Sequence, residues 1–129
     1  MNKILVEVSV GELLDKISIL EIKSEKIKDP EKLNFINDEY KILKSQLNTN
    51  IKNYSEIESL YNSLKEINSK LWVIEDDKRL CEKNSDFGEK FIKLSRDVHF
   101  LNDDRAKLKL EINNKTGSKI KEIKEYTKY

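Results

Sequence analysis

The sequence is poor in everything that breaks or staples a chain. Its 129 residues hold three glycines, one proline and one cysteine. Cys81 has no second cysteine to pair with, so no intramolecular disulfide forms and a reducing cytoplasm is the expected compartment. The scarcity of turn formers means that connections are few and elements long. No apolar run reaches the length needed to span a membrane. The opening MNKILVEVSV is interrupted by Glu7 and lacks a small-residue cleavage site, so it does not read as a signal peptide. Histidine occurs once, and arginine only at Arg79, Arg96 and Arg105 against 22 lysines. In so lysine-rich a chain, each arginine points to a place where a planar, two-pronged donor is wanted.

Charge is abundant and lacks a sign. The 25 basic and 24 acidic residues are interspersed and leave a net +1, so no basic face forms and nucleic-acid binding is not expected. Charged residues make up 38% and apolar residues 37%, the mixture typical of long amphipathic helices. One domain, 1–129, is large enough to bury a core without a metal or disulfide.

Residues 3–8, KILVEV, alternate weakly and are β-branched, which suggests a short strand. Ser9 with Glu12 then forms a capping box, opening a helix over about 10–27 with Leu13, Leu14, Ile17, Leu20 and Ile27 on one face. Asp29 as N-cap and Pro30 at the first helical position start a second helix over about 30–47. Its Leu33, Ile36, Tyr40, Leu43 and Leu47 follow coiled-coil spacing. A third helix, about 55–83, is capped by Ser55 and carries Ile57, Leu60, Leu64, Ile67, Leu71 and Ile74. A fourth, about 87–113, follows Asp86 and ends at Gly117. The tail SKIKEIKEYTKY suits either a frayed helix or, the favoured reading, a strand near Ile120–Tyr126 pairing with residues 3–8.

This pattern predicts an all-α antiparallel bundle. A long hairpin of the third and fourth helices carries the shorter hairpin of the first two, and its tip projects beyond them. Leu80, Phe87 and Phe91 at that tip would lie partly uncovered, which suggests self-association, most simply as a two-fold dimer, or a protein partner.

Level-counting from the turn near residue 85 sets Trp72, Glu75, Asp76 and Arg79 opposite Arg96, His99 and Asp103. Such a cluster suits a small anionic or zwitterionic ligand, or else a ladder of exposed ion pairs worth about 0–1 kcal/mol each. Arg105 occupies a seam position, and the same counting places it near Glu21 and Tyr40. Either those groups satisfy it, or it binds a ligand carboxylate or phosphate with help from Asn102 and Asp103. His99, with Asp103 one turn on, is more often a bystander than a general base. Cys81 reads as a small core residue.

Metal and cofactor sites are not expected. The E-x-x-E and E-x-x-D turns of all-α nucleotide pyrophosphohydrolases fail at Glu75-Asp76, because Lys78 stands where the next carboxylate is needed. A chorismate-mutase-like bundle would need several inward cations, and only Arg105 is clearly on the seam.

The strings SVGELLDKISILEIKSEKI, LWVIEDD and DFGEKFIKLSRDVHFLNDDRAKLKLEIN resemble a family of short helical proteins of unknown function from bacteria and their phages. The resemblance implies a shared helical fold and a site around Glu12, Asp15, Lys16, Trp72, Glu75, Asp76, Arg96, Asn102, Asp103 and Arg105. It supplies no mechanism. The reading favoured by the sequence is a non-enzymatic interaction or adaptor protein. The alternative is a binder of a small anionic metabolite or nucleotide around Trp72, Arg96 and Arg105.

Overall fold

The computed structural model describes residues 2–129. Four α-helices follow one another: α1 Val10–Lys26, α2 Pro30–Asn50, α3 Glu58–Lys83 and α4 Glu89–Thr116, with a 3₁₀ turn at Tyr54–Glu56. The all-α bundle expected from the heptad spacing is present, and no helix is long and apolar enough to cross a membrane among the described residues.

Two helix starts follow their sequence signals. Ser9 accepts a hydrogen bond from the Glu12 amide, and Asp29 accepts one from the Glu31 amide with Pro30 at the head of α2. Two others differ. Ser55 is taken into the 3₁₀ turn, so α3 starts three residues later at Glu58 with no side-chain cap. Asp86 accepts from the Gly88 amide within the hairpin turn, which delays α4 to Glu89. That turn is closed by the Asp86 amide donating to the Cys81 carbonyl at 2.8 Å, with Ser85 in the left-handed region at φ 53°. Gly117 at φ 65° ends α4 as a left-handed cap, a conformation that costs glycine little.

Neither terminal strand forms. Residues 2–8 and 119–129 lie outside any regular element and do not pair with each other. Instead, the two ends are tied where they leave the bundle, the Val10 amide donating to Ser118 Oγ at 3.2 Å. The tail then runs back along α4, so that Glu122 meets Lys109, the Tyr129 hydroxyl donates to Asp103, and the Tyr129 ring stacks edge-on against Phe100. Side-chain contacts to α4 thus take the place of strand pairing.

The helices are not arranged as two equal hairpins. α1 lies beside each of the other three, while α2 lies beside α1 alone. The core accordingly gathers on α1: Leu14 and Ile17 meet Leu47 of α2, Tyr61 and Leu64 of α3, and Ile112 of α4. α1 crosses α4 so closely that a Cβ on Gly11 would stand 2.6 Å from the Lys109 carbonyl oxygen. At that crossing Asn113 Oδ1 accepts from the Gly11 amide at 2.7 Å, satisfying one of the free amides at the helix start. Gly11→Ala is expected to push α1 off α4 and cost about 1–3 kcal/mol. Urea unfolding measures it, and an unchanged midpoint would show that the crossing gives way freely.

Candidate functional site

α1 carries its polar groups on the side that faces α3 and α4, and these groups form one connected cluster. Asp15 is 2% exposed. Its carboxylate receives Arg105 Nε at 2.9 Å and the same guanidinium's Nη2, a two-pronged pair. Asn68 of α3 donates to Asp15 Oδ1 at 2.8 Å, and its amide also lies 2.7 Å from Ser18 Oγ. Lys109, buried, donates to Glu12 at 2.7 Å and to Glu122 of the tail at 2.9 Å, with Asp15 at 3.8 Å. No buried side-chain nitrogen or oxygen among the described residues lacks a hydrogen-bond partner.

Electrostatics agree with this geometry. Burial alone would push the Asp15 carboxyl up, but hydrogen bonds from Arg105 and Asn68 and the charges of Arg105 and Lys109 hold it below its ordinary 3.8. Burial works against the Lys109 ammonium as well, and hydrogen bonds to Glu12 and Glu122 reverse that, so its pKa is raised. Glu122 is lowered, chiefly by its bond to Lys109.

Arg105 therefore does not meet Glu21, the partner expected from level-counting. Glu21 accepts from the Tyr61 hydroxyl and pairs with Lys65 at 3.3 Å, away from Arg105. The counting assumed that α1 follows the long hairpin in register, whereas the close crossing at Gly11 brings Asp15 to Arg105. Of the other residues singled out, Lys16 is exposed and 3.8 Å from Glu12. Asn102 Oδ1 lies 3.4 Å from Arg105 Nη1, and Asp103 is occupied by Tyr129. Arg96 and His99 are exposed and belong to neither the cluster nor the cleft beside it. Asn68, Lys109 and Asn113, all buried, went unrecognised in the sequence. The one available signal was Gly11, an isolated glycine in a helix start, which often marks close backbone approach.

Beside the cluster, a cleft of about 330 Å³ opens between α1 and α3. Ile19, Ile22, Leu71 and Trp72 supply its apolar lining, and Arg105 closes one side. Exposed Glu75, Asp76 and Arg79 stand along it. Trp72, Glu75, Asp76 and Arg79 thus share one cleft, with Arg105 rather than Arg96, His99 and Asp103 across from them. Among the described residues, no group of three or more His, Cys, Asp or Glu side chains is arranged to hold a metal ion.

The far end of the long hairpin is a second candidate surface. Hydrogen bonds from α1 reach α3 only between Tyr61 and Asn68, and α4 only between Arg105 and Asn113. Past Asn68, α3 continues to Lys83, about 22 Å further at helical rise. Leu80, Phe87 and Ile92 on this arm are 48%, 53% and 54% exposed. Phe87 stacks edge-on against Phe91, and the Lys78 ammonium lies over the Phe91 ring. Cys81 is buried between them in sequence, as expected of a small core residue.

A family model covers nearly the whole of this fold, from residue 4 to residue 129. The chain belongs to a family of unknown function (DUF6165). The match takes in both the buried cluster and the arm. No curated protein and no solved structure matches the chain.

The cluster's geometry fixes how it should respond to mutation and acid. A seam arginine paired with Glu21 would tolerate replacement by leucine. Paired with Asp15, it should not. Side-chain exposure is 27% for Arg105 and 3% for Asp15, so losing the arginine strands the more buried partner. Arg105→Leu is expected to cost about 3 kcal/mol or more, and Asp15→Asn less, because Arg105 can turn to water. Equal costs in chemical denaturation would contradict this asymmetry. A carboxyl lowered on folding adds stability above its unfolded pKa and loses it as pH falls through the folded value. Stability should therefore fall on acidification below 3.8. Asp15→Asn should flatten that slope, leaving a remainder from Glu122. An unaltered acid profile would assign the slope to other groups.

Proposed function

We propose that the protein is a non-enzymatic helical interaction module, held rigid by α1, which presents the α3–α4 arm to another protein. The observation that supports this reading is the set of half-exposed apolar side chains, Leu80, Phe87 and Ile92, on an arm past the hydrogen bonds that tie α1 to the hairpin. Paired aromatic rings at such a tip offer a large, stiff contact area at low entropic cost. The surrounding charges of both signs keep the arm soluble while its tip seeks a partner. A single buried thiol fits a reducing cytoplasm as its compartment.

A photo-crosslinking side chain placed at Phe87 should give one discrete adduct in the cells that make the protein. The same group at Phe35, 71% exposed on α2, should not. An adduct of twice the chain mass would identify the occupant as a second copy. Equal, diffuse labelling at both positions would defeat the reading.

The cleft supports a second reading, the binding of a small anionic ligand. Arg105 is held by Asp15 along one edge, which leaves Nη1 only a long bond to Asn102, and Arg79 is exposed nearby. Trp72, the sole tryptophan, lines this cleft, so its fluorescence reports occupancy. Titration with inorganic phosphate or succinate should change that fluorescence saturably, and Arg79→Ala should weaken the change. A flat titration with both probes retires the reading.

A further inference from the structure

Residues 3–8 are the most exposed apolar stretch of the chain. Ile4, Leu5 and Val6 are 85%, 82% and 74% accessible, and Val8 is 43%. Their backbone takes no part in any hydrogen bond among the described residues, although the segment is rich in β-branched side chains. It is nevertheless anchored, because the next residue, Ser9, is buried and caps α1. An anchored, unpaired, β-prone segment is a template for strand addition.

The sequence of the segment selects its occupant. In an extended chain Ile4, Val6 and Val8 share one face, and Lys3, Leu5 and Glu7 the other. Antiparallel pairing with the same segment of a second copy, centred on Leu5, sets Leu5 opposite Leu5 and Ile4 opposite Val6. It also sets Lys3 opposite Glu7, and by symmetry Glu7 opposite Lys3. A shift by one residue would move charged side chains onto the Ile4, Val6, Val8 face. Parallel in-register pairing would oppose Lys3 to Lys3 and Glu7 to Glu7, which is unfavourable. Only the antiparallel register centred on Leu5 matches both charge pairs and keeps one face wholly apolar. Such a contact is self-complementary and closes at two copies.

We infer that the protein dimerises through residues 3–8, paired as an antiparallel two-stranded ribbon between two copies. This deepens the interaction reading without depending on the arm. A two-stranded ribbon is only marginally stable alone, so the dimer should dissociate on dilution. Light scattering over a concentration series should show a species approaching twice 15.2 kDa. Lys3→Glu and Glu7→Lys each turn both attractive pairs into repulsive ones, and each should weaken dimerisation about tenfold. The double variant Lys3→Glu/Glu7→Lys should restore it. Both residues are exposed, so circular dichroism should be unchanged throughout. The inference is overturned if the wild type stays monomeric at the highest concentration. It is equally overturned if either single variant dimerises normally, or if the double variant fails to recover. Phe87→Ser should leave the dimer intact. A dimer lost in Phe87→Ser but kept in Lys3→Glu would place self-contact on the arm and leave the interaction reading standing alone.

Discussion

Asp15 is almost closed to water, and a carboxylate so placed must be matched by donors and cations from outside its own helix. The matches come from α4 and α3, and the tail joins through one of them. Arg105 and Lys109 bring α4 against α1, Asn68 brings α3, and Glu122 follows Lys109 to add the tail. The apolar core would be content with several ways of laying helices together, since Leu, Ile and Val pack without direction. The two-pronged contact to Asp15 is directional and tolerates few of them. Gly11 makes that geometry attainable by letting the backbones of α1 and α4 approach.

Much of the architecture could be read from the chain because it depends on local signals. The cap at Ser9 and the Asp29-Pro30 start act within one turn, and the repeats of Leu64, Leu71 and Ile112 mark the buried sides of their helices. The third and fourth helix starts were misplaced by two or three residues. There the turn itself used the side chain that would otherwise have capped the helix. The expected strands failed for a different reason: a strand needs an edge to pair with, and the terminal segments find none within the chain.

The candidate site was legible only in part. Trp72, Glu75, Asp76 and Arg79 share one stretch of α3, so helical spacing alone brings them together. The partner of Arg105 was out of reach of such spacing. Counting levels along two helices gives the register within a hairpin, but the position of α1 on that hairpin is set by contacts distant in sequence. Lys109 and Asn113 were hidden for the same reason, since a lysine or asparagine on a helix ordinarily faces water. Arg96 and His99 show the converse error, with suggestive chemistry but no convergent surface.

The separation of these contacts along the chain bears on how the fold is reached. Asp15 and Arg105 are 90 residues apart, Gly11 and Asn113 are 102 apart, and Val10 and Ser118 are 108 apart. The α3–α4 hairpin, by contrast, closes over a five-residue turn between Lys83 and Glu89. Loop-closure entropy therefore favours the hairpin first and the docking of α1 last. On a ribosome that makes the chain from its N-terminus, Asp15 emerges long before Arg105 and Lys109, the cations that meet it in the fold. The first helix can pack on α2 early, but its carboxylate stays solvated until nearly the whole protein has been made.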